Sequence, residues 1–427
     1  MLAIHIPRPV SAWALMVICV VGSLRADEPA LSHDSTLPDY IAFGIAHNPG
    51  LKAAHQRHQA ALEKILQARA LPDPKLMATH FVEDIQTRTG PQENQVFVSQ
   101  MFPWFGKLRL RGAVASKEAE AIEHAYEAEV LMLARDIGLT YYDYAYLGEA
   151  TEITREVLEL LERLEESVRE KVRAGGDLAP LLRLEVEIAK TRDAVQGLEK
   201  QRGSQSADLN ALLGRREAGV LPWPKSPAPD KRIQSRSGLV QQLLAENPEL
   251  KMLQSRIEKA EEAVALAKKS PIPDPTFGVG VFDTGEALNP ATTGSGDDPW
   301  AIQISFSIPL GMKKYRAERR EAEANYEAAK QTLTDHENAL LAKLERALRD
   351  LAEVEERIAL YDETLLPKAR QSLEVTESSY SADRSTILDL IDSERTLLEI
   401  ERTYQRAIAD HYKSHVRLQT LTGQQPK

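Results

Sequence analysis

Asn48-Pro49-Gly50-Leu51-Lys52 returns later in the chain as Asn247-Pro248-Glu249-Leu250-Lys251. Each copy runs on into an Ala/Gln/Glu/Lys-rich helical stretch, closed by Leu71-Pro72-Asp73-Pro74 in the first and Ile272-Pro273-Asp274-Pro275 in the second. Two prolines two residues apart end a helix, because neither supplies an amide donor and each pushes the residue before it out of the α region. An internal repeat of this kind means one structural unit used twice, so the fold has to seat two equivalent units together.

After each Pro-Asp-Pro the hydrophobic period changes from helical to alternating. In the second copy Trp300, Ile302, Ile304, Phe306 and Ile308 alternate with Ala301, Gln303, Ser305 and Ser307, and Phe277, Val279 and Val281 alternate with Gly278 and Gly280. In the first, Val96, Val98 and Phe102 share a face opposite Ser99. Strands are expected over 75–84 and 95–103, then 275–283 and 300–309, joined by polar loops at Asp84–Asn94 and Asp283–Asp298. Strands of about ten alternating residues suit a transmembrane β-barrel.

The strands end at Phe102-Pro103-Trp104-Phe105-Gly106-Lys107 and Ile308-Pro309-Leu310-Gly311-Met312-Lys313, and a long helix follows each. Residues 107–172 contain no proline, and residues 314–366 neither proline nor glycine. At roughly 1.5 Å per residue the first would reach about 100 Å. Ile122, Tyr126, Val130, Leu133, Ile137, Tyr141 and Tyr144 recur at a 4-4-3 spacing, nearer an eleven- than a seven-residue repeat, so such helices pack nearly straight. Each reverses once, at Ala174-Gly175-Gly176-Asp177, with Asp177 placed to cap the returning helix, and at Ser379-Tyr380-Ser381-Ala382-Asp383-Arg384-Ser385. The helical hairpins then span 107–213 and 313–422, within repeats at 37–214 and 236–423. A Pro-rich connector covers 215–235.

Aromatics make up only 6% of the chain and charged residues 27%, with a mean hydropathy of −0.36, the profile of long solvated helices rather than a thick core. Residues 1–26 read as a Sec signal peptide: Arg8, then the apolar run Ala12 to Gly22, then a polar turn. Cys19 is the only cysteine. Ile18 before it is not the small residue a lipoprotein signal needs, so lipidation is not expected. The processed chain then has no cysteine, which excludes disulfides and thiolate metal sites. A formal charge of −11 argues against nucleic acid as a partner. No later apolar run is long enough to span a bilayer as a helix, so any membrane crossing is made by strands.

Four strands cannot close a barrel, and an open edge in lipid leaves backbone groups unsatisfied at several kcal/mol each. Three copies would supply twelve strands and a water-filled lumen. The thin apolar seams of the helices ask for the same lateral neighbours.

This order, occurring twice from Leu37 to Gly423, resembles the TolC-type outer-membrane efflux family. Gln100-Met101-Phe102-Pro103-Trp104-Phe105-Gly106-Lys107 is especially similar to its heavy-metal branch. The resemblance implies a mainly α chain with a transmembrane β part: as a homotrimer, a twelve-stranded β-barrel in outer-membrane lipid above a long periplasmic α-helical barrel. It implies a passive conduit for substrates, heavy-metal cations among them, served by a periplasmic membrane-fusion adaptor and an inner-membrane pump of the RND type. No cofactor is implied.

The segment Ser379 to Asp392 is similar to the one closing the periplasmic entrance in this family. Asp389 and Asp392 correspond to an acidic pore constriction, and Tyr380 to a gate-latch tyrosine. The latch arginine falls at Ser385, and the nearest arginine is Arg384. Asp383 stands where the family's turn has glycine. Leu182 and Glu185 occupy the constriction positions of the first copy. A ring of six carboxylates should raise its own pKa values by repulsion. The adaptor-docking tips are read at Arg173, Gly175, Gly176 and Asp177, and at Ser381, Asp383 and Ser385.

His55 and His58 lie three apart without a carboxylate partner and read as exposed helix residues, so no metal site is expected. The Glu/Arg runs read as solvated faces. No phosphate loop, nucleophile elbow or metalloprotease motif is present, and no enzymatic activity is expected. The alternative is a periplasmic coiled-coil adaptor or scaffold without a pore, which would need no alternating strands.

Overall fold

The computed structural model describes residues 31–216, 219–224, 235–289, 291–382 and 384–426. The expected signal peptide with Cys19, residues 217, 218 and 225–234 of the expected connector, and Asp383 lie outside the described residues. The first repeat comprises α1 (Leu37–His47), α2 (Pro49–Arg69), β1 (Lys75–Thr87), β2 (Gly90–Met101), α3 (Lys107–Arg173) and α4 (Ala179–Leu212). The second comprises α5 (Arg236–Glu246), α6 (Pro248–Lys269), β3 (Pro275–Thr284), β4 (Trp300–Phe306), α7 (Met312–Leu360), a π turn (Tyr361–Leu365), α8 (Leu366–Ser381) and α9 (Ile387–Leu421).

The duplicated Asn-Pro does the same work twice. Asn48 caps α2 by accepting the Leu51 N–H at 3.1 Å, and its side-chain amide donates to the Leu212 carbonyl at 2.9 Å. Asn247 accepts from Glu249 and Leu250 at 2.9 and 3.3 Å and donates to Leu421 at 3.0 Å. Each repeat thus ties the end of its returning helix to the start of its second helix. Gly214 (φ 74°) and Gly423 (φ 83°) finish the returning helices, and a Cβ on either would lie 2.8 or 2.7 Å from the carbonyl oxygen of His47 or Glu246. Only glycine accepts both the left-handed backbone and that approach.

The four strands form one antiparallel sheet in the order β1-β2-β3-β4, with β2 and β3 joining the two repeats. Register sorts the faces. Leu76, Val98, Val279 and Ile302 lie in one row, and Ala78, Val96, Val281 and Trp300 in the next of the same face. The other face carries Ser99, Gly278 and Gln303, then Phe97, Gly280 and Ala301. Phe97 lies over Gly280 and is buried, whereas Val98, Val279, Trp300 and Ile302 are exposed in the single chain.

Two expectations change at the hairpins. The polar loop expected over Asp84–Asn94 is mostly strand: β1 continues to Thr87 and β2 begins at Gly90, leaving Arg88 and Thr89 as the turn. Gly90 (φ 139°) takes the backbone conformation that closes it, and a register shift between His80 and Ile85 absorbs the extra residues in β1. In the second hairpin β4 stops at Phe306, short of Pro309. Its long loop folds over the first turn, with Gly285 N–H donating to Pro91 at 2.7 Å and Gly296 N–H to Thr89 at 3.0 Å.

Helix α3 has 67 residues and is the spine. It is tied to α2 by Arg57–Glu129, to α6 by Lys117–Glu258 and Lys259–Glu118, to α4 by Arg155–Glu199 and Arg192–Glu162, and to α9 through Asp143 with Lys413 and Arg406. Midway, Tyr40, Ile137, Tyr141, Tyr144, Leu209, Leu213, Leu221 and Val416 form a core. Tyr144 donates to the Leu221 carbonyl at 2.6 Å there, which draws the start of the connector onto the first repeat. The second long helix is not continuous α-helix. Pro367 removes a donor and its ring would crowd the carbonyl four residues back, and the backbone widens into the π turn at Tyr361–Leu365.

Candidate functional site: the helical tips and the repeat seam

The two reversals lie side by side. Leu161 and Val168 of α3, Leu181, Leu184 and Ile188 of α4, and Ile387, Leu390 and Ile391 of α9 make one apolar cluster beneath them. The first tip ends α3 in a double turn: Gly175 N–H donates to Val172 and Gly176 N–H to Lys171, both at 3.0 Å, with Gly175 at φ 100°. Arg173 pairs with Glu170 at 2.5 Å, within its own helix. Asp177 accepts the Ala179 N–H at 3.1 Å, although Leu178, not Asp177, takes the cap position of α4, one residue later than expected.

At the second tip Arg384 is exposed and its backbone N–H donates to Ser379 at 2.8 Å. Ser381 is exposed, and Ser385 donates its hydroxyl to the Thr376 carbonyl at 3.2 Å. Tyr380 is half-buried with the Lys171 ammonium 4.6 Å from its ring centre, so within one chain its partner is the first tip.

Asp389 and Asp392 are both exposed, on the face of α9 opposite Ile387, Leu390 and Ile391. Asp389 sits three residues after the cap Thr386. Its carboxylate accepts from the Thr386 N–H at 2.8 Å and hydroxyl at 2.7 Å, and the Thr386 hydroxyl accepts the Asp389 N–H at 3.3 Å. Bonds from the Thr386 backbone and hydroxyl hold this carboxyl below the usual carboxylate range. In the single chain hydrogen bonding to the charged form sets this direction; the raised values belong to the expected ring of six carboxylates, which needs three copies. Arg395, one turn beyond, clamps Glu187 of α4 at 2.6 and 3.2 Å. In the first copy Leu182 is exposed and Glu185 lies 3.5 Å from Arg169.

Sequence reasoning passed over Glu394. It continues the stripe Ile387, Leu390, Ile391 at helical spacing, the one signal that could have exposed it, and only 3% of it is exposed. Burial, with Glu377 and Glu401 nearby, pushes its carboxyl up to about 7.

The second site missed by sequence is the seam between the repeats. Lys107, closing Pro103-Trp104-Phe105-Gly106-Lys107, is buried, and its ammonium donates to the Ile272 carbonyl at 2.6 Å and to Asp274 at 2.8 Å. The Trp104 N–H donates to the same carboxylate oxygen at 2.7 Å. Burial pushes Asp274 up, but Lys107, the Trp104 amide and Arg111 outweigh it and leave the group below the usual range. The end of one repeat's hairpin is thereby locked to the Pro-Asp-Pro of the next.

Long helical hairpins under a hairpin sheet with one apolar face are the architecture of an outer-membrane efflux protein. The model of the outer membrane efflux protein family matches residues 44–215 and 239–424, and the chain belongs to this family. It is similar to nodulation protein T of Rhizobium leguminosarum bv. trifolii (20% identity, covering 92% of this chain and 86% of the relative). It is also similar to the cobalt-zinc-cadmium resistance protein CzcC of Cupriavidus metallidurans (21% identity, 91% and 90%). Among solved structures, the channel CusC superposes with a TM-score of 0.75 at 16% identity, over 92% of this chain and 94% of that one. The protein is an outer-membrane efflux channel of this family and shares the fold of CusC.

Proposed function

We propose that three copies close a twelve-stranded barrel over a helical conduit. The conduit passively carries substrate delivered by a periplasmic adaptor and an RND-type inner-membrane pump, and performs no enzymatic chemistry. The observation that carries this reading is the seam within one chain. There β2 pairs with β3 and Lys107 meets Asp274, while among the described residues β1 and β4 each keep one edge unpaired. Lys313 follows Pro309 by four residues, as Lys107 follows Pro103, and Asp73 stands in the first Pro-Asp-Pro. Lys313 and Asp73 are both exposed in the single chain. A β4 edge laid on the β1 edge of the next copy repeats the seam, bringing Lys313 to Asp73 and closing the ring after three copies.

In that assembly the row Leu76, Val98, Val279, Ile302 faces lipid and the Ser99–Gln303 face lines the lumen. Asp389 and Asp392 line the periplasmic constriction, Tyr380 and Arg384 belong to the latch around it, and the tips at Arg173, Gly175, Gly176 and Asp177, with Ser381, Asp383 and Ser385, meet the adaptor. An N-terminal signal peptide, not lipidated at Cys19, takes the chain to the outer membrane. Heavy-metal cations are the favoured cargo, supported by the Phe102 to Lys107 segment and by the likeness to CzcC.

The test is the purified protein in detergent and in planar bilayers. Light scattering should give a trimer that conducts ions, and cysteines at Gly176 and Ser381 should crosslink to the adaptor in cells. Loss of the gene should sensitise cells to divalent heavy metals. A monodisperse monomer without conductance would overturn the channel assembly, and a deletion strain with unchanged metal tolerance would overturn the cargo.

A further inference from the structure

The second repeat holds a side-chain cluster that conduit function does not use. His411 and His415 stand one turn apart on α9, and Glu355 reaches them from α7; one ligand atom of each lies within 4.8 Å of the other two. His411 is buried, and Glu355 and His415 are half-buried, so the cluster is sheltered with one side open to water. The two imidazole rings lie 4.6 Å apart. Two histidines at i and i+4 share a helix face, the spacing by which a helix offers two nitrogen donors to one ion. The neighbouring helix adds the carboxylate.

The duplication makes the cluster stand out. The Asn48–Leu212 and Asn247–Leu421 contacts mark equivalent ends of α4 and α9, so His411 is the second repeat's counterpart of Arg202, and His415 that of Ser206. In the first repeat those two side chains hold the connector. Arg202 donates to the Leu221 carbonyl at 3.2 Å and lies over the Trp223 ring at 4.3 Å, and Ser206 accepts the Leu221 N–H at 2.8 Å. In the second repeat the same positions carry imidazoles set against Glu355. The nearby cation Lys413 is engaged by Asp143 and Asp410 at 2.9 and 3.3 Å, two residues around the helix from His411.

We propose that Glu355, His411 and His415 bind one divalent transition-metal ion of the zinc class, pinning α7 to α9 within each chain. Two imidazole nitrogens and one carboxylate oxygen are a borderline donor set that suits zinc. Ligands on a tetrahedral zinc lie roughly 3.4 Å apart, so the cluster closes by about 1 Å through side-chain rotation, with water in the fourth position. The ion would be held within one chain, between two of its own helices, and the proposal does not depend on what the channel exports.

The test uses the full-length protein stripped with EDTA and titrated with zinc against a chromogenic zinc chelator. The wild type should bind one more zinc per chain than H411Q/H415Q and gain thermal stability on zinc addition, which the variant should not. E355Q, which removes the carboxylate ligand on the other helix, should bind at least about 10-fold more weakly, the least that losing even a supporting group costs, which keeps the proposal testable if the double variant assembles poorly. H55Q/H58Q should bind as the wild type does. Equal zinc binding by wild type, H411Q/H415Q and E355Q, or loss of zinc only in H55Q/H58Q, would overturn the assignment.

Discussion

Glu394 occupies a place in the apolar stripe of α9 where a leucine would be ordinary. Its carboxyl is pushed up to about 7 by burial and by the charges of Glu377 and Glu401, from an ordinary 4.5. A raised acid holds its proton in the folded state after the unfolded chain has released it. Its contribution to stability is therefore full below the ordinary value and lost as pH rises through about 7. Hydrogen exchange of the first turns of α9 should quicken in the wild type between about pH 5 and about pH 8, beyond the intrinsic rate increase, and Glu394→Gln should abolish that excess. An equal excess in both proteins would show that Glu394 does not control the tip. Asp389 has the opposite sign. Its depressed carboxyl supports the Thr386 cap at neutral pH and loses that support only in acid, as pH falls through a folded value beneath the ordinary carboxylate range. Asp389→Asn with Asp392→Asn should weaken cation selectivity and polyvalent-cation block in bilayers while the trimer persists. Unchanged selectivity and block would remove both residues from the pore mouth.

Among the elements, the sheet states its two environments most clearly. Val279 stands exposed in the apolar row, whereas Gly280 lies under Phe97 with no space for a side chain. Gly280→Val should displace Phe97 and sharply reduce the heat-modifiable, folded fraction on gels, while Val279→Ile should leave it unchanged. A folded, unshifted Gly280→Val protein would contradict this packing. The helices show how far pattern reading reaches. Continuous apolar spacing and the lack of proline foretell α3 from end to end. The π turn before Pro367 was not legible, because a proline in sequence says that a helix must yield but not whether it breaks, bends or widens. The loop expected over Asp84–Asn94 became strand for a related reason. Polar residues read as loop until a partner strand is known, and β2 and the folded loop of the second hairpin supply those partners.

For the whole molecule, the seam between repeats is the guide to the seam between copies. Within one chain Lys107 is buried against Asp274, so removing either should destabilise the protomer by about 3–5 kcal/mol. Lys313 and Asp73 should matter only to assembly. Lys313→Asp and Asp73→Lys should each lower the temperature at which the trimer dissociates on seminative gels, and the double exchange should restore much of it. If both single variants dissociate as the wild type does, the inner seam is not repeated between copies, even where light scattering still gives a trimer.

The duplication, the breaks at Pro-Asp-Pro and the switch from helical to alternating period were written in the order of residues, because they depend on local backbone chemistry and on side-chain period alone. They reach as far as two equivalent units with hairpins and long helices, and the argument that four strands cannot stand alone follows from hydrogen-bond accounting. What the Asn amides, Lys107, Glu394 and the Glu355–His411–His415 cluster do was decided only by tertiary structure. Each joins residues that lie tens to hundreds of positions apart or takes its character from burial. Neither distance in space nor the loss of water around a charge is carried by the sequence of neighbours along a chain.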